Sequence, residues 1–452
     1  QGQVSSRKAH DQTEGLQAGL GMLRDVSVWR VWGISCTESV GSYLDEGSGA
    51  DADSDTNDEV HPVEHDSFQD SGRAAPGDSE MCGTYPLDNE GAGHADVRVL
   101  EQRRSDQPEQ PQQKVRWDDS TIGGAVEGLY SDAMPTRFLP VLLDCDPGID
   151  DAFALAYLAS RDDVETVGVV TTAGNVGQDD VLRNALGLTE LLGMDAPVAR
   201  GADAPLVEPV MTAEETHGPH GLGHAQLGDC GRHPDGRSGA QLWVDLARKY
   251  PGELVGIVTG PLTNLALALR EEPDLPQLLR GLHVMGGAIN HRGNTGPTSE
   301  WNIAVDPEAG HEVFEAWGKA SKRVVLGALQ ATEVIRLDER DRRAVKELGE
   351  HPVVKVLADA LRFYFEFHEA DGLGWCAYLH DPLVVANAVT GRFATTRPLA
   401  VDVELTGTLT RGQTVGDELG RWGKEPNVDL LCEVDAEGFI EHLLTTLRTG
   451  LG

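Results

Sequence analysis

From about residue 137 onward, short apolar runs alternate with longer stretches whose apolar positions recur every three or four residues. The runs 138–143, 164–172, 253–259, 281–285, 323–326 and 399–405 read as strands, and the first, apolar throughout, as one buried on both faces. The stretches 178–192, 241–249, 262–270, 307–317, 354–366 and 436–447 read as helices, with shorter apolar helices at 152–158 and 383–389. Strands alternating with amphipathic helices predict an α/β fold, a mainly parallel, Rossmann-like central sheet flanked by helices on both faces. Ligands of such sheets sit at the carboxyl ends of the strands, and the polar motifs of this chain fall there repeatedly.

Upstream the pattern is absent. Asp51-Ala-Asp-Ser-Asp-Thr-Asn-Asp-Glu59 and Gln107-Pro-Glu-Gln-Pro-Gln-Gln113 are polar, acidic and rich in Pro and Gln. Such segments bury too little apolar surface to offset the entropy of ordering. We therefore expect residues 1–133 to be an acidic, largely disordered and dispensable extension, and 134–452 to form the functional domain. Met134-Pro-Thr-Arg-Phe138 reads as a natural start just before the first strand.

The strand at 138–143 runs into four carboxylates within eight residues, Asp144, Asp146, Asp150 and Asp151. Pro147-Gly148 forces a turn, and the second acidic pair opens the next helix, where N-terminal acids are favoured. Capping accounts for two of the four at most. The cluster repels itself unless a cation neutralises it, and an all-oxygen site suits a hard divalent ion. A strand ending in Asp-x-Asp also opens aspartyl phosphotransferases. That chemistry wants Thr or Val two places past the second Asp, where Gly148 stands here.

Later strand ends add Thr171-Thr-Ala-Gly-Asn175, Gly260-Pro-Leu-Thr-Asn264, Met285-Gly-Gly287, Gly293-Asn294, Ser299-Glu-Trp-Asn302 and His380-Asp381. The carbonyl of Thr259 is placed to serve a hard cation. His217-Gly-Pro-His-Gly-Leu-Gly-His224, with Cys230 and His233 downstream, offers either a zinc site or a loop of the active site. Four glycines between 218 and 229 favour the loop.

Charge narrows the partners. Against 37 basic residues stand 74 acidic ones, which disfavours nucleic acid and anionic membranes. The six cysteines lack framework or CxxC spacing, and with no apolar run long enough to span a bilayer we expect a cytoplasmic protein.

Taken in order, these motifs resemble the nucleoside hydrolase family, the inosine/uridine-preferring nucleoside N-ribohydrolases. Asp144-x-Asp146-Pro-Gly-x-Asp150-Asp151 matches that family's signature, and the resemblance runs from about Phe138 to Leu447. It implies hydrolysis of ribonucleosides to base and ribose, in nucleoside salvage or catabolism, by a homodimer or homotetramer. It also implies one Ca²⁺ held by Asp146, Asp151, Asp381 and the Thr259 carbonyl. Asp144 would support the cluster without binding the metal. The substrate would be held by Asp150, Asn175, His217, Met285, Asn294, Glu300, Trp301, Asn302 and Asp381. Asp146 would take a proton from the attacking water, and His380 would be the acid for the leaving base, its ordinary pKa suiting it without much tuning. Trp301 stands where many members have Phe, and the helix Phe363-Tyr-Phe-Glu-Phe-His368 leaves open whether Tyr364 or His368 meets the base. A non-catalytic nucleoside- or calcium-binding protein is the alternative on the same fold.

Overall fold

In the computed structural model, which describes residues 138–452, the first apolar run becomes strand β1 (Leu139–Cys145). The expectations for residues 1–133 lie outside the described residues. The chain continues through β2 (Val164–Thr171), β3 (Val198–Arg200), β4 (Asp235–Ser238), β5 (Val255–Val258), β6 (Gly281–Met285) and β7 (Val324–Gly327). There follow β8 (Arg336–Leu337), β9 (Ala377–Tyr378), β10 (Thr395–Leu399), β11 (Val401–Val403), β12 (Thr414–Gly416) and β13 (Val428–Cys432). Two pairs, β8 with β9 and β11 with β12, are small antiparallel ribbons. The other nine form one sheet in the order β10-β13-β7-β6-β5-β1-β2-β3-β4. Every pairing in it is parallel except β10 with β13.

The sheet is covered on both sides, as the apolar runs predict. Along β1, Val141, Leu143 and Cys145 join one core and Leu142 the other, the two-residue alternation of a pleated strand. The first core takes in helices Ile149–Ala159, Pro352–Ala370, Asp381–Thr390 and Ala436–Leu451, and the second Gly239–Lys249, Thr263–Glu271 and Pro307–Trp317. Among the described residues no helix is long and apolar enough to cross a membrane.

Three strands of the sheet escape the hydrophobic pattern. β3 has only three residues, and β4 reads Asp-Gly-Arg-Ser with alternate positions exposed at the sheet edge. β13 sits between β7 and β10, with Val428, Leu430 and Leu431 buried. The run 399–405 is not one strand: Leu399 pairs with Val428 in the main sheet, whereas Val401 pairs with Gly416 in a ribbon. Pro398 fits this arrangement because β10 is an edge strand, where a missing N–H is tolerated.

β1 lies between β2 and β5, so successive connections leave it in opposite directions, and the crevice between β1 and β5 is the switch point of the topology. Packing beneath that crevice depends on Gly256 in β5. A Cβ there would stand 2.6 Å from Trp243 Cη2, so the bare backbone lets the indole lie against the sheet. From that position Trp243 Nε1 donates to Asp144 Oδ2 at 2.8 Å. Gly256→Val should push the indole off the strand, destabilise the fold by about 1–3 kcal/mol through overpacking, and loosen Asp144. Chemical denaturation measures the first effect, and an unchanged midpoint would contradict this account of the packing.

Candidate active site

The turn after β1 is built almost wholly from buried polar groups. Asp144, at the strand's end, accepts from Thr172 Oγ1 at 2.9 Å, Trp243 Nε1 at 2.8 Å and Asn264 Nδ2 at 3.0 Å. Asp151, one turn into the helix, accepts from Gly148 N at 3.0 Å, so the capping reading holds for this residue. Its other oxygen takes the Thr259 hydroxyl at 2.8 Å. Asp146 accepts from Asn175 N at 2.8 Å through Oδ2, while its Oδ1 is buried with no hydrogen-bond partner. Asp146 lies against the bare backbone of Gly174 and Gly260, where any Cβ would collide with its carboxylate.

Asp381 enters from the start of a different helix, Asp381–Thr390. Oxygens of Asp150, Asp151 and Asp381 lie within 4.8 Å of one another, the metal-capable group among the described residues. Burial raises Asp144 and Asp150 to about 6, and burial with the charge of Asp150 raises Asp151 to about 7. Asp146, by burial and then Asp151, and Asp381, by burial and then Asp150, are pushed well above the ordinary carboxylate range. A buried carboxylate oxygen without a donor, beside acids that disfavour one another's charge, is the environment a hard divalent cation relieves. The residues fit such an ion.

Above the cluster opens a cavity of about 290 Å³, near the lower end of the roughly 300–1,000 Å³ range of ligand pockets. Asp150, Asn175, His217, Thr259, Met285, Asn294, Glu300, Trp301, Asn302, His380 and Asp381 all line it. Asp144, Asp146 and Asp151 are buried behind the lining. The strand ends act together. Asn302 Nδ2 donates to the carbonyls of Thr259 at 2.8 Å and Met285 at 3.1 Å, locking β5 to β6. Glu300 caps the short helix Trp301–Val305 and also accepts from Gly287 N at 2.7 Å, so backbone amides occupy both its oxygens. Asn294 Oδ1 accepts from Trp301 N at 3.0 Å.

Both aromatic candidates left open by the sequence, Tyr364 and His368, face the cavity, one helical turn apart on Pro352–Ala370. Tyr378, Arg292 and Glu333 also line it and carry no signal in the sequence beyond their polarity. The zinc reading of the His-rich stretch does not hold. His217 turns into the cavity and accepts from Ile149 N, whereas His220 pairs with Asp180 and His224 with Glu366. His380 differs from the expectation of an untuned histidine: burial, and then the neighbouring His368, hold it down at about 3. Its ring is neutral at neutral pH and can donate only as an imidazole N–H.

Residues 141–441 match the inosine-uridine preferring nucleoside hydrolase family. The chain is 35% identical over 311 residues to the pyrimidine-specific ribonucleoside hydrolase RihA of Citrobacter koseri, covering 68% of this chain and 98% of the relative. The chain belongs to this family. A purine-preferring ribonucleoside hydrolase from Gardnerella vaginalis is similar in structure, with a TM-score of 0.65 and 30% identity over 69% of this chain and 98% of its own. A plant nucleoside hydrolase, PpNRh1, has a TM-score of 0.64 at 28% identity over 68% of this chain and 98% of its own. The protein is thus a ribonucleoside hydrolase, an enzyme that cleaves N-glycosidic bonds. The phosphotransferase alternative falls with that assignment.

The electrostatics of this hydrolase generate a linked prediction. Carboxylates whose folded pKa is raised retain protons near neutrality, and a cation must displace them, so binding releases protons and weakens in acid. Any rise in Tm produced by a fixed concentration of a divalent cation should shrink between about pH 8 and about pH 5.5. Thermal melts across that range check it, and a pH-independent rise would contradict it.

Proposed function

We propose that the protein hydrolyses uridine, cytidine and inosine to free base and ribose with one Ca²⁺ at the carboxylate cluster. The observation that carries the reading is Asp146, with Oδ2 tethered by the Asn175 amide and Oδ1 buried without a partner. Asp146, Asp151, Asp381 and the Thr259 carbonyl would hold the ion; of these Asp151 and Asp381 belong to the group of close carboxylate oxygens, whose third member is Asp150 and which leaves Asp146 out. When bound, Ca²⁺ orients a water molecule and makes it more acidic.

This chain's residues supply the rest. Asp146 accepts the water's proton as its oxygen bonds to the anomeric carbon. The bond from that carbon to the base nitrogen breaks, its electron pair stays on nitrogen, and the released base takes a proton from solvent while Asp146 gives its own back to solvent. Positive charge develops on the sugar, as in glycoside hydrolysis generally, and the surrounding carboxylates favour it. Asp150, Asn175, Asn294, Glu300, Asn302 and Asp381 grip the ribose, with Met285 and Trp301 as apolar walls and His217 buried against the turn at Gly148. His380 offers its N–H to the departing base. Asp144 holds the turn from behind. The histidine at 380, together with a pyrimidine-specific relative, supports uridine, cytidine and inosine over purines alone.

Assembly as a homodimer or homotetramer and a cytoplasmic setting belong to the same reading. The first is supported by exposed apolar side chains such as Leu409 and Leu419, and the second by cysteines that are all free among the described residues. Sedimentation velocity reads the assembly.

Ribose release from a nucleoside panel, with and without a chelator, tests the proposal. Release from uridine, cytidine or inosine should stop when the chelator is added. Asp146→Ala should lower kcat by at least about 10²-fold while leaving the fold intact by circular dichroism. Near-normal turnover in that variant would refute the assigned base. A correctly folded wild type that releases no ribose would leave the binding-protein alternative.

A further inference from the structure

Among the described residues the His380 ring has one side-chain hydrogen-bond partner, and it is not an acid. Its Nδ1 lies 2.8 Å from Thr332 Oγ1. Thr332 is fully buried in the short helix Leu329–Thr332 that follows β7. That segment is pinned to the loop leaving β6, for Leu329 N donates to Gly287 O at 2.9 Å and Gln330 Oε1 accepts from Ile289 N at 3.3 Å. The Thr332 amide donates to Ala328 O at 3.1 Å. The hydroxyl has no second partner among the described residues.

These contacts decide where the proton of His380 sits. If Nδ1 carried it, the buried Thr332 O–H would have no acceptor, at a cost of about 1–3 kcal/mol. With the hydroxyl donating to Nδ1, that proton is satisfied and the ring's own proton moves to Nε2. His368, on the same cavity, is set the other way. Its Nδ1 lies 2.7 Å from the Tyr364 carbonyl, which can only accept, so its Nε2 is an acceptor.

We propose that Thr332 is a positioning residue that holds His380 with its proton on Nε2, so that this N–H faces the departing base. The inference rests on the assignment of His380 to the leaving group under the proposed function. The ring keeps its proton throughout, stabilising the electron pair left on the base nitrogen by a hydrogen bond.

Thr332→Val exchanges the hydroxyl for a methyl group of similar shape, and Thr332→Ser retains the hydroxyl. Each is assayed on inosine, whose base needs assistance, and on 4-nitrophenyl β-riboside, whose phenolate leaves unaided. Thr332→Val should lose about 10- to 100-fold in kcat on inosine, the scale expected when an orienting partner is removed. KM and turnover of the nitrophenyl riboside should hold, and Thr332→Ser should restore inosine hydrolysis. Equal losses on both substrates, or none on inosine, would overturn the inference. His380→Ala separates the two levels. If it keeps full inosine turnover, the leaving-group assignment fails and the inference with it. If it loses inosine turnover and Thr332→Val does not, the inference alone fails. Nitrogen NMR of the wild-type ring gives an independent readout, and a protonated Nδ1 at His380 would also overturn the proposal.

Discussion

Mutual repulsion among buried carboxylates is the constraint around which this structure is arranged. Asp144, Asp146, Asp150, Asp151 and Asp381 are all withdrawn from water. Two like charges 4 Å apart repel by about 4 kcal/mol at an effective dielectric near 20. The fold answers part of that with donors: three side chains on Asp144, a backbone amide, a hydroxyl and the Asn175 side-chain amide on Asp151, and one backbone amide on Asp146. The remainder shows as carboxyl groups that hold protons more tightly than usual. A hard cation would resolve the conflict, and under the proposed function the same charges would also favour a positively charged sugar in the transition state.

Placing these acids requires strand ends from distant parts of the chain. β1 delivers Asp144 and Asp146, the loop after β2 delivers Asn175, β5 leads to Thr259, and β6 ends at Met285. Parallel register brings the four ends to one edge of the sheet, at the point where the connections diverge. Close backbone approach does the rest. Gly174 and Gly260 make room for Asp146, and Gly256 makes room for the indole that steadies Asp144.

Another wall of the cavity follows a different logic, built largely of aromatic and imidazole rings. Tyr364 and His368 lie 4.6 Å apart by ring centroid, and Tyr378 stands 5.1 Å from His368. Burial keeps His368 and His380 neutral, so hydrogen-bond partners, rather than pH, decide which nitrogen donates. One end of the substrate would thus meet charge, and the other would meet oriented dipoles and flat apolar surface.

The sequence by itself determined the alternation of strands and helices, the parallel sheet and the acidic turn after the first strand. Each of these is a local pattern: periodicity, a Pro-Gly turn, and carboxylates at strand and helix ends. The order of motifs along the chain was enough to carry the family resemblance. Strands β3 and β4 were not legible, because short or polar strands owe their state to neighbours in the sheet rather than to their own pattern, and β13, though apolar at Val428, Leu430 and Leu431, was not among the expected strands. Only the tertiary structure decided that Glu300 is occupied by backbone amides, that Tyr364 and His368 share the cavity wall, and that burial lowers His380. It alone set Thr332 against His380, a contact across 48 residues. Such facts depend on distances between residues far apart in the chain and on exclusion of water, and neither is encoded in any one segment.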